Sequence, residues 1–163
     1  MTGSTFEAAE RIVSVLSARQ LTIGVAESLT GGLLTAALVE VPGASAVLRG
    51  GVVAYDTAVK HSLLQVDAEV LAAHGPVHPD VAMQMAVGVR RALAVDGVEP
   101  GVGIATTGVA GPGPQDGHPA GTAFIGLAVG RDVRSIELAV EGDRAAVRAA
   151  VTARALALLE EFL

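Results

Sequence analysis

Three stretches of the chain gather residues that could do chemistry. The first is Glu27-Ser28-Leu29-Thr30-Gly31-Gly32, which closes the first apolar run. A serine at the carboxyl end of a strand, with glycines opening a helix, combines an attacking oxygen with backbone N–H groups and a positive dipole end. Acyl transfer needs that set, because the hydroxyl creates an oxyanion that nearby donors must stabilise. The plainer alternative is that Ser28 or Thr30 only caps a helix, with Gly31 and Gly32 permitting close packing.

A hydroxyl nucleophile also needs a base, and the second stretch supplies one in Tyr55-Asp56-Thr57-Ala58-Val59-Lys60. Desolvation can bring a lysine from about 10.4 down towards about 7–8, where it accepts a proton at neutral pH. Lys60 is the only lysine of the chain and Tyr55 the only tyrosine, so neither has a competitor of its own kind. The Tyr55 phenol could relay a proton or bond the nucleophile. A solvated Lys60 and a sheet-edge Tyr55 stand as the alternative.

The third stretch is Ala105-Thr106-Thr107-Gly108-Val109-Ala110-Gly111-Pro112-Gly113. A strand ending in hydroxyls and glycines can offer successive N–H groups to an anion. It carries neither a Walker lysine nor dinucleotide spacing, and a flexible surface loop would read similarly. Arg144 and Arg148 open the last helix, where they could grip a phosphate with two hydrogen bonds or simply be solvated. His61, His74, His78 and His118 lack the i, i+4 pairing with a carboxylate that would suggest zinc, so structural or exposed histidines are expected. The absence of cysteine rules out disulfides and thiolate chemistry.

The elements that must position these groups follow from periodicity. Residues 4–19 read as a helix with Phe6, Ala9, Ile12, Val13 and Leu16 on one face. Strands are predicted at 21–26, 51–55, 101–106, 122–129 and 133–140. Helices are predicted at 30–41, 56–66, 67–74, 78–95 and from an N-cap at Asp143 to the end, with Val147, Val151, Leu158 and Phe162 inward. Residues 108–121 form a long irregular loop, a length that in compact domains usually serves function. Helix–strand alternation followed by a hairpin at Gly130-Arg131-Asp132 predicts an α/β fold. It would be a single three-layer α/β/α domain over residues 1–163, with a mostly parallel mixed sheet.

With 163 residues, 51% of them apolar and 17% charged, the chain can bury a full core. A net charge of −6, scattered basic residues and 2% aromatics speak against direct nucleic-acid binding and leave a small anionic ligand as the expected partner. No run approaches a membrane span, and Glu7, Glu10 and Arg11 interrupt any signal-like stretch, so a cytoplasmic protein is expected. An uncovered apolar helix face in so small a domain suggests a homo-oligomer.

Six ordered segments together resemble the CinA carboxy-terminal domain family, also described as nicotinamide-nucleotide amidases. They are AESLTGG at 26–32, VPGASAVLRGGVVAYDTAVK at 41–60, AAHGPVHPDVAMQMAVG at 72–88, TGVAGPGP at 107–114, PAGTAFIGLA at 119–128 and GDRAAVR at 142–148. The resemblance covers nearly all of residues 5–163 and is to the stand-alone form, without the molybdopterin-binding-like domain of full-length CinA. It implies deamidation of nicotinamide mononucleotide to nicotinic acid mononucleotide and ammonia, in pyridine nucleotide salvage, with no metal and no cofactor. By matched position, Ser28 would be the nucleophile and Lys60 with Tyr55 would move its proton. Thr30, Gly31 and Gly32, or Thr107, Gly108, Ala110 and Gly111, would hold the oxyanion or phosphate, and Arg144 the phosphate. The chain departs from the family at Leu29, where a Cys is common, and at Asp56-Thr57, where Ser-Asn is usual. Thr107-Gly108 stands for a Ser-Gly. The alternatives are a non-catalytic nucleotide-binding domain and a partner module in competence or DNA damage.

Overall fold

The computed structural model describes residues 3–163, with side chains from residue 5 onward. In chain order the elements are α1 (Gly3–Ala18), β1 (Ile23–Glu27), α2 (Leu33–Val39), β2 (Leu48–Val53), α3 (Thr57–Ser62), α4 (Ala68–His74), α5 (Pro79–Ala92), β3 (Val102–Gly108), β4 (Thr122–Val129), β5 (Asp132–Ala139) and α6 (Arg144–Phe162). A short 3-10 turn at Ala44–Ala46 leads into β2.

The five strands form one sheet in the order β2-β1-β3-β4-β5. β1 runs parallel to β2 and β3, while β4 is antiparallel to β3 and β5. Four strands therefore share one direction and β4 opposes them. The ladders split evenly between parallel and antiparallel because β3 joins β4 through a loop rather than a crossover helix. Helices cover both faces, giving the three-layer α/β arrangement.

The two faces of the sheet differ in bulk, and that difference sets the layers. Alternate strand residues point to opposite faces. On one face Ile23, Val25, Val102, Ile104, Ile125 and Leu127 pack against α1, α2 and α6 through Ile12, Leu16, Leu34, Leu38, Leu156 and Leu159. The other face presents Gly24, Ala26, Gly103, Ala105, Gly126 and Ala128 to α5. A Cβ at Gly103 would lie 2.0 Å from the carbonyl oxygen of Ala86, and one at Gly126 2.0 Å from that of Ala82. α5 therefore rests its backbone on the sheet itself.

Several boundaries differ from expectation, each for a physical reason. α2 begins at Leu33 rather than 30 because Gly31 and Gly32 take φ of +59° and +99°, outside helical geometry. β2 spans 48–53 rather than 51–55: it is an edge strand, alternately half-buried and exposed, so Arg49, Gly50 and Gly51 are tolerated within it. Tyr55 consequently lies beyond the strand, not at its end. Asp143 caps α6 by accepting from the Ala146 N–H at 2.8 Å, as expected. On that helix Val147 and Val151 bury fully, while Leu158 and Phe162 are only half-buried and Leu156 and Leu159 take the inner positions. Among the described residues no helix is long and apolar enough to cross a membrane.

Because α5 contacts bare backbone, Gly103→Ala should lower the unfolding free energy by about 1–3 kcal/mol or more in urea titration. Gly113→Ala, in open space, should change it by less than about 0.5 kcal/mol. Equal effects would mean that α5 does not sit this close.

Candidate active site

β1 ends beside β3, where Glu27 pairs with Thr106. Beyond β1 the Ser28 N–H still donates to the Thr106 carbonyl at 2.9 Å, so the serine extends the ladder by one residue and its placement is fixed by the sheet. On the other side the Ala54 N–H donates to the Glu27 carbonyl at 2.8 Å, which brings the exit of β2 against the same turn. Asp56 then caps α3 by accepting from the Ala58 N–H at 2.7 Å, and one turn later Lys60 folds back beneath Ala54.

Lys60 Nζ donates to Ser28 Oγ at 3.1 Å and to the Ala54 carbonyl at 2.8 Å. Lys60 is 1% exposed and Ser28 8%. Burial penalises the ammonium form and pushes its pKa from 10.5 down to about 8, against a smaller opposing pull from the Asp56 carboxylate. A lysine in that range is neutral often enough at physiological pH to accept a proton from the hydroxyl it touches. Thus the serine and the amine of the chain's one lysine, 32 residues apart, meet in one buried contact.

They face a cleft of about 250 Å³. It is also lined by Leu29, Tyr55, Thr57, Pro76, Val77, Arg144 and the continuous stretch 107–115, the end of β3 and the loop after it. The Thr107 hydroxyl donates to the Pro76 carbonyl at 2.6 Å and ties two of these segments together. Gly108 faces the cleft, but its lack of a side chain answers to packing: a Cβ there would meet the Thr122 carbonyl oxygen at 2.5 Å. Arg144 donates to the Tyr55 hydroxyl at 2.8 Å and to the Gly111 carbonyl at 2.9 Å. Both acceptors are neutral, so its charge remains available to an anion.

Several sequence expectations change here. Tyr55 is 61% exposed and its hydroxyl accepts from Arg144, and among the described residues no hydrogen bond joins it to Ser28 or Lys60. Thr30, Gly31 and Gly32 do not line the cleft. The Thr30 side chain is fully buried, its hydroxyl 2.7 Å from that of Thr106. The Gly31 N–H donates to the Ser28 carbonyl at 3.1 Å, and the Gly32 N–H to Glu27 Oε2 at 2.9 Å. Those two amides are therefore occupied and offer nothing to an anion. Arg148 is neither a cleft residue nor a solvated one, because it turns onto the loop after Ser28.

The residue that sequence reasoning missed is Glu27, fully buried. Its carboxyl group accepts from the N–H groups of Gly32, Leu34 and Thr35 at 2.9, 3.1 and 2.8 Å, and from the Thr35 hydroxyl at 2.6 Å. It satisfies the N-terminal donors of α2 from the strand below, a place no N-cap pattern would search. The available signal was a charged residue closing an otherwise apolar strand. Pro76 and Val77 line the cleft without having been named as site residues from the sequence. His74 and His78 stack with centroids 4.3 Å apart, outside the cleft.

The model of the CinA C-terminal domain family matches residues 5–163. A CinA-like protein of Frankia casuarinae is 47% identical over 154 residues, which cover 93% of this chain and 34% of that protein. The chain spans about a third of the length of the curated relatives it matches. Among solved structures, the competence/damage inducible protein CihA from Agrobacterium tumefaciens is similar with a TM-score of 0.89 at 33% identity, over 98% of this chain and 95% of that one. A CinA superfamily protein from Escherichia coli reaches 0.91 at 32% identity, over 100% of this chain and 93% of that one.

Removing the Glu27 carboxyl strands four donors around the turn that carries Ser28. Glu27→Ala should therefore lose about 3 kcal/mol of stability in urea titration. A loss below about 0.5 kcal/mol, the range of an ordinary surface change, would show that these donors do not depend on it.

Proposed function

This chain belongs to the CinA C-terminal domain family, and from that premise we propose that it deamidates nicotinamide mononucleotide to nicotinic acid mononucleotide and ammonia. The observation that carries the reading is the buried contact of Lys60 Nζ with Ser28 Oγ at 3.1 Å. A structural lysine gains nothing from desolvation. A base gains a usable pKa.

Neutral Lys60 takes the proton of Ser28 as Oγ attacks the carboxamide carbon and the C–O bond forms. The tetrahedral intermediate collapses by breaking the C–N bond, and the ammonium of Lys60 returns its proton to the departing nitrogen. A water molecule, deprotonated by the same amine, then attacks the acyl carbon and restores the serine. One amine thus serves both half-reactions, as base and then as acid. The Ala54 carbonyl, 2.8 Å from Nζ, keeps the amine aimed at Oγ through both changes of charge.

The substrate class follows from the rest of the cleft. The stretch 107–115 and Arg144 supply an anion end, and Arg144 has no carboxylate partner among the described residues. A phosphate can displace the neutral Tyr55 and Gly111 acceptors from it and gain a charge-assisted pair. Tyr55, exposed beside Arg144, offers a ring face to the nucleotide. Leu29, buried with Ala110, Val147 and Val151, fills the place of the family's cysteine with packing alone.

Ammonia release from nicotinamide mononucleotide should fall by at least about 1,000-fold in Ser28→Ala. In the native protein log kcat/KM should rise with unit slope up to about pH 8, as Lys60 loses its proton, and then level off. Undiminished turnover in Ser28→Ala would reject the nucleophile. Tight nucleotide binding without ammonia would identify a binding domain instead.

A further inference from the structure

Hydrolysis at Ser28 requires donors for the oxyanion, and the amides of Gly31 and Gly32, expected to provide them, are already engaged. The candidates left on this turn are the N–H groups of Leu29 and Thr30. Neither makes a backbone or side-chain hydrogen bond among the described residues. Their direction is set by the carbonyls across each peptide plane, because in a trans peptide C=O and N–H point opposite ways.

Arg148 controls those carbonyls. Its Nε donates to the Leu29 oxygen at 3.0 Å and its Nη2 to the Thr30 oxygen at 2.8 Å. The plane that carries the Leu29 carbonyl also carries the Thr30 N–H. The plane that carries the Thr30 carbonyl carries the Gly31 N–H, which donates to the Ser28 oxygen at 3.1 Å. That last bond in turn orients the plane bearing the Leu29 N–H. Both unengaged amides are therefore aimed by one guanidinium, directly for Thr30 and through Gly31 for Leu29. Hydrogen bonds accepted at a carbonyl also polarise the N–H of the same unit, so the cation strengthens the donors it aims.

Two further observations fit this arrangement. No carboxylate pairs with Arg148 among the described residues, so its charge is directed at the loop alone. A Cβ at Gly31 would come within 3.2 Å of Arg148 Nη2, so the glycine leaves room for the guanidinium rather than cradling an anion.

We infer that Arg148 is a positioning residue that, through the Thr30–Gly31 and Ser28–Leu29 peptide planes, fixes and polarises the Leu29 amide as the oxyanion donor behind Ser28; Thr30, fully buried and outside the cleft lining, does not reach it. This rests on Ser28 being the nucleophile. A lysine could keep the charge but not the paired geometry, because only the planar fork reaches two adjacent carbonyls at once.

The test is the rate at which a fluorophosphonate modifies Ser28, followed by mass spectrometry. The new P–O bond forms as fluoride leaves and the serine proton passes to Lys60, so the reaction needs the same oxyanion donor without needing the nucleotide. Arg148→Lys should react roughly 30-fold more slowly, short of the roughly 100- to 1,000-fold lost with an oxyanion donor itself. It should also lower kcat for the nucleotide while leaving KM unchanged. Arg148→Ala should be slower still and regain much of its rate when guanidinium is added at low millimolar concentration, which no defect of folding would do. Equal labelling rates in native protein and Arg148→Lys, or no rescue of a folded Arg148→Ala, would overturn the inference while leaving Ser28 as the nucleophile. A native protein that is not labelled, with turnover intact in Ser28→Ala, would overturn both.

Discussion

The structure depends on keeping one amine out of water. Lys60 is enclosed with two neutral oxygens, Ala54 O and Ser28 Oγ, as its hydrogen-bond acceptors. Burying an ammonium ion is costly, and the cost appears as a lowered pKa rather than as an ion pair. Asp56, the nearest acid to exert a pull, spends a carboxylate oxygen on the cap of α3. A carboxylate in contact with Nζ would hold the proton and leave Ser28 with no base. The chemistry therefore needs a charge partner to be absent as much as it needs the lysine to be present.

Enclosing that amine requires the ends of three strands and two helix starts to converge, and the uneven sheet makes this possible. Bulky residues on one face bind α1, α2 and α6, while glycine and alanine on the other let α5 lie on the backbone. The close approach of α5 brings Pro76, just before it, against the end of β3, where the Thr107 hydroxyl donates to its carbonyl. On the bulky face, the N-terminus of α2 is satisfied by Glu27 and the turn before it is held by Arg148. The nucleophile thus sits between a carboxyl group that secures the start of α2 and a guanidinium that shapes its immediate neighbours.

Much of this could be read from the sequence where periodicity was strong. β4 was placed at its observed limits, and α1, α5 and α6 were found within a few residues, because apolar spacing of 2 or 3.6 survives without knowledge of the partner. β2 was placed too late, since half-exposed edge strands tolerate Arg49, Gly50 and Gly51, which otherwise signal a turn. The alternation of large and small residues in Ile23-Gly24-Val25-Ala26, Val102-Gly103-Ile104-Ala105 and Ile125-Gly126-Leu127-Ala128 was visible in the chain. Its meaning, a bare face for one helix, emerges only once these strands are neighbours. At the site, the types of Ser28 and Lys60 suggested a pair, but their contact depends on long-range pairing. The roles of Glu27, Arg148 and Tyr55 depend on side-chain direction, which spacing does not encode.

Because Lys60 is the only lysine, labelling the protein with lysine carrying nitrogen-15 at Nζ places a single side-chain probe at the centre of the account. Its chemical shift, followed against pH, should titrate with a midpoint of about 8. A midpoint near the ordinary 10.5 would mean that the amine is solvated and charged throughout the working range, and that Ser28 has no base beside it.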